Sequence, residues 1–129
     1  MVSSVRELVA AARSQIDNLS VDQVARELDE ASVTLVDIRE PDEVWSDGTI
    51  PGSVQAPRGM LEFYADPASP YYRPEFDPAS RIILYCASGG RSALAVQTLR
   101  TLGYTDVAHL DGGLTAWTQQ GRPVTQDAT

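Results

Sequence analysis

Arg81-Ile82-Ile83-Leu84-Tyr85-Cys86-Ala87-Ser88-Gly89-Gly90-Arg91-Ser92 runs from an apolar stretch through the chain's single cysteine into a glycine-rich turn. The Ile, Leu and Tyr residues read as a buried strand, and the two glycines let the next segment curl tightly. Ser92 to Leu102 reads as a helix, with Ala93, Leu94, Val96, Leu99 and Leu102 apolar and Gly103 placed to end it. Strand, tight loop and helix in this order make an anion cradle, because the first N–H groups of a helix lack partners and its end carries roughly half a positive charge. Cys86 lies at the base of that cradle, where loop N–H groups and Arg91 at the rim favour thiolate over thiol. A lone cysteine more often packs as a small hydrophobe, but such a residue needs no Gly-Gly-Arg-Ser continuation.

The chain on either side is organised around this segment. Val5, Leu8, Val9, Ala12, Ile16 and Leu19 recur at helical spacing, which predicts an amphipathic N-terminal helix within residues 1–19, ending near Asn18 and packed on the domain. Ser20 with Gln23 has the form of a capping box for a second helix to about Leu28. Val33 to Ile38 reads as a strand, Pro41 as the first turn of a short helix through Trp45, Ser53 to Pro57 as another strand, and Met60 to Tyr64 as one or two helical turns. Four prolines between Asp66 and Pro78 predict an irregular surface excursion. Val107 to Leu110 is a further strand, and Asp111-Gly112-Gly113 leads into a last helix with Leu114 and Trp117 inward. The domain proper is expected over 20–121, with 122–129 a mobile tail. Strands alternating with helices at this spacing indicate an α/β domain with a mostly parallel sheet, whose ligands bind at the carboxyl ends of strands.

Composition bounds the function. With 129 residues, 43% hydrophobic and 22% charged, the chain matches one ordinary globular domain. One cysteine and one histidine, His109, exclude an internal disulfide and a multi-cysteine metal site, so no metal and no cofactor is expected. The lone thiol suits a reducing, cytoplasmic setting, and Arg6, Glu7 and Arg13 break every apolar stretch near the start. A net charge of −8 argues against nucleic acid and membrane as partners; a small anionic substrate has to be captured by a local field such as that of the Cys86 loop.

Four motifs in order carry a resemblance: Val36-Asp37-Ile38-Arg39; Gly48-Thr49-Ile50-Pro51-Gly52-Ser53; Leu84-Tyr85-Cys86 through Arg91-Ser92; and Leu110-Asp111-Gly112-Gly113 with Trp117. Together they resemble the rhodanese family over about Ser20 to Gly121. The resemblance implies a rhodanese fold, a five-stranded parallel sheet flanked by helices, and a sulfurtransferase of the thiosulfate type in which Cys86 carries sulfur as a persulfide. It further implies a small anionic sulfur donor and a thiol or a sulfur-carrier protein as acceptor. Ala87, Ser88, Gly89, Gly90, Arg91 and Ser92 become the substrate-binding loop, with Ser92 also capping the helix, and Asp37, Arg39 and Arg58 supporting residues. Arg91 either recognises the anion or turns inward to order the loop, and Arg58 either reaches the cleft or is solvated. His109 reads as a packed or hydrogen-bonded core residue.

Where many members carry Gly-His-Ile-Pro-Gly-Ala, this chain has Thr49 in place of a histidine whose role reads as structural. Phe63, Tyr64, Tyr71 and Tyr72 are candidates for a wall that selects the acceptor. Two other functions fit less well. Related phosphatases and arsenate reductases place five residues between cysteine and arginine, whereas four separate Cys86 from Arg91. A low-turnover sulfur-relay or regulatory binding module also fits the retained cysteine.

Overall fold

Reciprocal caps start the first two helices of the computed structural model, which describes residues 4–126. Ser4 and Glu7 exchange backbone-to-side-chain hydrogen bonds of 3.1 and 3.2 Å ahead of α1 (Val5–Arg13). After α1 the chain enters β1 (Asp17–Leu19), and Ser20 and Gln23 then repeat the device at 2.8 and 3.1 Å for α2 (Val21–Glu30). Then follow β2 (Val33–Asp37), α3 (Pro41–Asp47), β3 (Val54–Gln55), a 3-10 turn (Arg58–Met60) and α4 (Leu61–Ala65). The chain ends with β4 (Arg81–Tyr85), α5 (Gly90–Thr101), β5 (Val107–Leu110) and α6 (Gly113–Gln119). The five strands form one parallel sheet in the order β1-β5-β4-β2-β3, with β4 central. No helix among the described residues is long and apolar enough to cross a membrane.

Strand alternation builds a core on each face of the sheet. Ile82, Leu84 and Cys86 of the β4 segment pack with Val36, Val107 and residues of α1, α4 and α5. Ile83 and Tyr85 face the other way, against Leu35, Leu110, Val21 and Val24 of α2, and Leu114 and Trp117 of α6.

One expectation is corrected, and the structure adds contacts to two others. The first helix stops at Arg13, not near Asn18: the Asn18 carboxamide donates to the Arg13 and Ile16 carbonyls at 2.9 and 3.2 Å, and Asp17–Leu19 pairs with β5 instead. Ile16 and Leu19 fit a helical stripe by spacing, but a strand edge uses them equally well. The segment expected as a mobile tail makes defined contacts as far as it is described. Thr125 and Thr49 form an antiparallel bridge through N–H···O bonds of 2.8 and 2.9 Å, and Trp117 Nε1 donates to the Pro123 carbonyl at 2.8 Å. Residues 1–3 and 127–129, which the expected N-terminal segment and tail include, lie outside the described residues. The excursion after α4 carries no regular element as expected, yet it is anchored: Phe76 is fully buried, and its carbonyl accepts from Tyr72 and Tyr104 at 2.6 and 3.1 Å.

Asp37 ends β2 fully buried, and Arg39 is 2% exposed beside it. Arg39 Nε and Nη2 donate to the two carboxylate oxygens at 3.0 and 2.8 Å, and Nη2 also donates to the Gly48 carbonyl. Thr49 Oγ1 lies 2.8 Å from Asp37 Oδ2 and 2.7 Å from the Tyr85 hydroxyl, so the residue standing for the family's histidine joins a buried polar network. The pair fastens β2 to the turn after α3. Breaking a buried pair leaves an unpaired charge and costs about 3–5 kcal/mol. Asp37→Asn is therefore expected to lower the urea midpoint by an amount equivalent to about 3 kcal/mol, whereas Asp47→Asn, at an exposed carboxylate 3.9 Å from Arg39, changes it by under about 1 kcal/mol.

Candidate active site

The turn after β4 closes through Gly89, whose φ of +110° is open to glycine at little cost and which forms the N-cap of α5. The turn aims Gly89 N–H at Cys86 Sγ, 3.1 Å away. α5 begins at Gly90, so Ser92 stands inside its first turn and does not cap it, contrary to the sequence expectation; the early start follows from the left-handed Gly89. There Ser92 Oγ is 3.6 Å from the sulfur. Cys86 is 1% exposed, while Ser88 is exposed and Ala87, Gly90 and Arg91 are half-buried around it.

The loop's carbonyls are held from behind. Leu114 and Thr115 at the start of α6 donate N–H to the Cys86 and Ala87 carbonyl oxygens at 2.9 and 3.0 Å. So close an approach requires Gly113: at its φ of +59°, a Cβ would lie 2.5 Å from Cys86 O and 2.6 Å from Ala87 O. A cleft of about 290 Å³ opens beside Ala87, bordered by Arg39, Asp47, Leu114, Thr115 and Thr118.

Arg91 is turned to Glu43 of α3, with Nη1 and Nη2 at 2.7 and 2.9 Å from the two carboxylate oxygens. Those hydrogen bonds hold the Glu43 carboxyl down to about 2. In return Glu43, and to a lesser degree the Cys86 sulfur, raises the Arg91 guanidinium above its ordinary value. Glu43 was not singled out in the sequence, where its place two residues after Pro41 is indistinguishable from an ordinary first-turn carboxylate; its Oε1 does also accept the Glu40 N–H at 3.1 Å.

The other candidates divide. Asp37 and Arg39 brace the neighbouring strand end as described. Arg58 does not join the loop: it donates to Glu62 at 2.8 Å and to Thr98, six residues past Ser92 on α5, at 3.2 Å. The aromatic residues of α4 and the excursion split as well. Phe63 and Tyr71 form an exposed edge-to-face pair at 6.3 Å, while Arg73 covers the Tyr64 ring and Tyr72 packs against the core. His109 is fully buried, hydrogen-bonded to Ser92 Oγ through Nδ1 at 2.8 Å and to Asn18 Oδ1 through Nε2 at 2.7 Å. Burial pushes its ring down to about 4, with Asp111 acting in the opposite sense and Arg13 in the same sense. The link from His109 to Cys86 escaped the sequence reading; the clue is parity, since Val107 and His109 share the face of β5 toward α5, and Leu84 of β4 is in register with His109.

A family profile described as a rhodanese-like domain matches residues 20–120. A protein from Allochromatium vinosum named sulfurtransferase is 35% identical over 86% of this chain and 94% of its own length. A solved structure from Rhodopseudomonas palustris, described as of unknown function and a possible tyrosine phosphatase, is 39% identical with a TM-score of 0.91, covering 97% of this chain and 96% of that one. A thiosulfate sulfurtransferase from Pseudomonas aeruginosa is 31% identical with a TM-score of 0.72, covering 92% of this chain and 22% of that one. The chain spans 21% to 57% of several other curated relatives.

Two outcomes follow from this geometry. Gly113→Ala is expected to lose more than about 3 kcal/mol in thermal or urea unfolding, whereas Gly121→Ala, at φ +74° with open space around it, loses about 1–2 kcal/mol from backbone strain alone. The lowered folded-state value of His109 gives stability that is fully present above about pH 6.5 and lost as pH falls to about 4, worth up to about 3 kcal/mol. The unfolded chain binds the extra proton in that window, so stability rises with pH there. Urea midpoints of the parent and of His109→Gln across the same range check it, the variant showing the flatter profile; Glu43 adds a second loss only between about pH 4.5 and 2.

Proposed function

The chain belongs to the rhodanese-like domain family, and from that premise we propose that it is a sulfurtransferase in which Cys86 carries sulfane sulfur from thiosulfate, or a donor of the same charge and shape, to a thiophilic acceptor. The observation that carries this reading is the Gly89 N–H pointed at the Cys86 sulfur at 3.1 Å at the head of the twelve-residue helix α5. A donor directed at sulfur stabilises an anion there, whether thiolate or persulfide.

Cys86 thiolate attacks the outer sulfur of thiosulfate. A new S–S bond forms, the sulfur–sulfur bond of the donor breaks, and its electron pair leaves with sulfite. Cys86 then holds a persulfide whose terminal sulfur is electrophilic toward a second thiolate or cyanide. Attack on that sulfur transfers it and returns the Cys86 electron pair to the protein as thiolate, a double displacement through a covalent intermediate. Sulfite leaves as a stable anion, so no general acid is needed. Arg91, paired with Glu43, holds α3 against the loop. The natural acceptor on this reading is a thiol or a sulfur-carrier protein. A phosphatase reading is disfavoured by the loop, which places four residues between Cys86 and Arg91 where related phosphatases place five.

Intact-protein mass spectrometry tests the proposal. After thiosulfate the protein is expected to gain the mass of one sulfur, to lose it on addition of cyanide, and to show neither change as Cys86→Ser. No gain in the absence of reductant, or turnover of an aryl phosphate that depends on Cys86, overturns it.

A further inference from the structure

His109 takes no part in the sulfur chemistry above, yet it stands two hydrogen bonds from the nucleophile. Ser92 Oγ is 2.8 Å from its Nδ1, and Cys86 Sγ is 3.6 Å from the same oxygen. The far side of the ring settles where its proton lies. Asn18 Nδ2 spends its N–H groups on the Arg13 and Ile16 carbonyls, which leaves Oδ1 facing Nε2 at 2.7 Å. An amide oxygen only accepts, so Nε2 carries the hydrogen, and in a neutral ring Nδ1 is a bare acceptor. Ser92 then donates its one hydroxyl proton to Nδ1 in preference to the Gly89 carbonyl, 3.3 Å away, because a bare Nδ1 at 2.8 Å needs that proton; its oxygen is left to accept S–H from Cys86.

We infer that His109 is a positioning residue for Cys86: it holds the Ser92 proton away from the sulfur while the sulfur is a neutral thiol, and yields it when the sulfur becomes thiolate or persulfide. No proton changes heavy atoms within the chain of bonds. The S–H proton leaves to water, the Ser92 hydroxyl turns about its Cβ–Oγ bond, the bond to Nδ1 breaks and a bond to the sulfur anion forms. The anion therefore has to outcompete the ring for a donor, and removing the ring's acceptor makes the thiolate easier to form.

The surroundings keep the ring neutral. Burial pushes its pKa down to about 4. The charged groups acting on it are Arg13 of α1 and Asp111 after β5, which lie 2.6 Å apart and oppose each other at the ring; Asn18 of β1 and Ser92 of α5 hydrogen-bond its two nitrogens. On the sulfur side the charges are Arg91 and, through it, Glu43. The inference rests for its use on Cys86 as the sulfur carrier. Its test reads the thiol and the ring without any sulfur donor, so either idea can fail while the other stands.

Because the chain has one histidine, uniform [15N]histidine labelling gives one pair of ring signals. In the reduced protein these are expected to be those of the neutral ring protonated at Nε2. As pH rises, the Nδ1 signal is expected to shift toward that of an unbonded acceptor, with the midpoint of Cys86 alkylation by iodoacetamide. A ring protonated at Nδ1, or an Nδ1 signal indifferent to Cys86 ionisation, overturns the inference. The second arm is kinetic. At mildly acidic pH, His109→Leu is expected to alkylate about three to ten times faster than the parent, and the gain to vanish when the same change is made in Ser92→Ala. A gain that persists without the Ser92 hydroxyl means that the ring acts through packing alone, and overturns it too.

Discussion

The approach of α6 to the Cys86 loop is the constraint on which the site depends. A helix start donates N–H groups, and here those of Leu114 and Thr115 are given to the carbonyls of Cys86 and Ala87. With these carbonyls spent outward, the loop keeps the Gly89 N–H for the sulfur. The arrangement is possible only at a residue without a Cβ, because the backbone of Gly113 lies against the loop backbone itself and not against side chains that could move aside. Gly113 therefore acts at a distance in sequence on the conformation of the loop that follows β4.

β4 places two different polar devices on the two faces of one sheet. Cys86, following Ile82 and Leu84, joins Ser92, His109 and Asn18 on the α5 side. Tyr85 on the opposite side receives the Ile50 N–H and meets Thr49 and Ser53, and so reaches Asp37 and Arg39 through Thr49. Burial and the nearby Asp37 charge push the Tyr85 hydroxyl up to about 12, so it stays a neutral donor. Among the described residues every buried side-chain nitrogen and oxygen has a partner, which is what keeps so polar a strand end from costing the fold its stability.

Legibility in the sequence followed the range of the interaction. The Ser20–Gln23 cap, the proline opening α3 and the glycine-marked loop after Cys86 are local, and each was readable because a few neighbouring residues determine it. β1 was not readable, because Ile16 and Leu19 satisfy helical spacing and only the pairing with β5, some ninety residues away, selects the strand. The Thr49–Thr125 bridge and the Arg91–Glu43 pair were hidden for the same reason. Of the site, Cys86 and its loop were visible as a pattern. What orients them was not, since Glu43 and Gly113 reach the loop from separate elements and Asn18 meets it only through His109.

The acidity of the chain sharpens the electrostatic role of the loop. A net charge of −8 repels a small anion at long range, but at physiological ionic strength such repulsion fades within roughly 8 Å. Arg91 does not overcome it as a free cation, because Glu43 engages both of its terminal nitrogens. The attraction left at the sulfur comes mainly from oriented N–H groups at the head of α5, which act over a few ångströms and have no counter-ion to exchange. A site of this kind has little reach toward an anion in bulk solvent and a strong hold on one already at the loop, which suits the proposed sulfur transfer, whose intermediate is itself an anion bound to the protein.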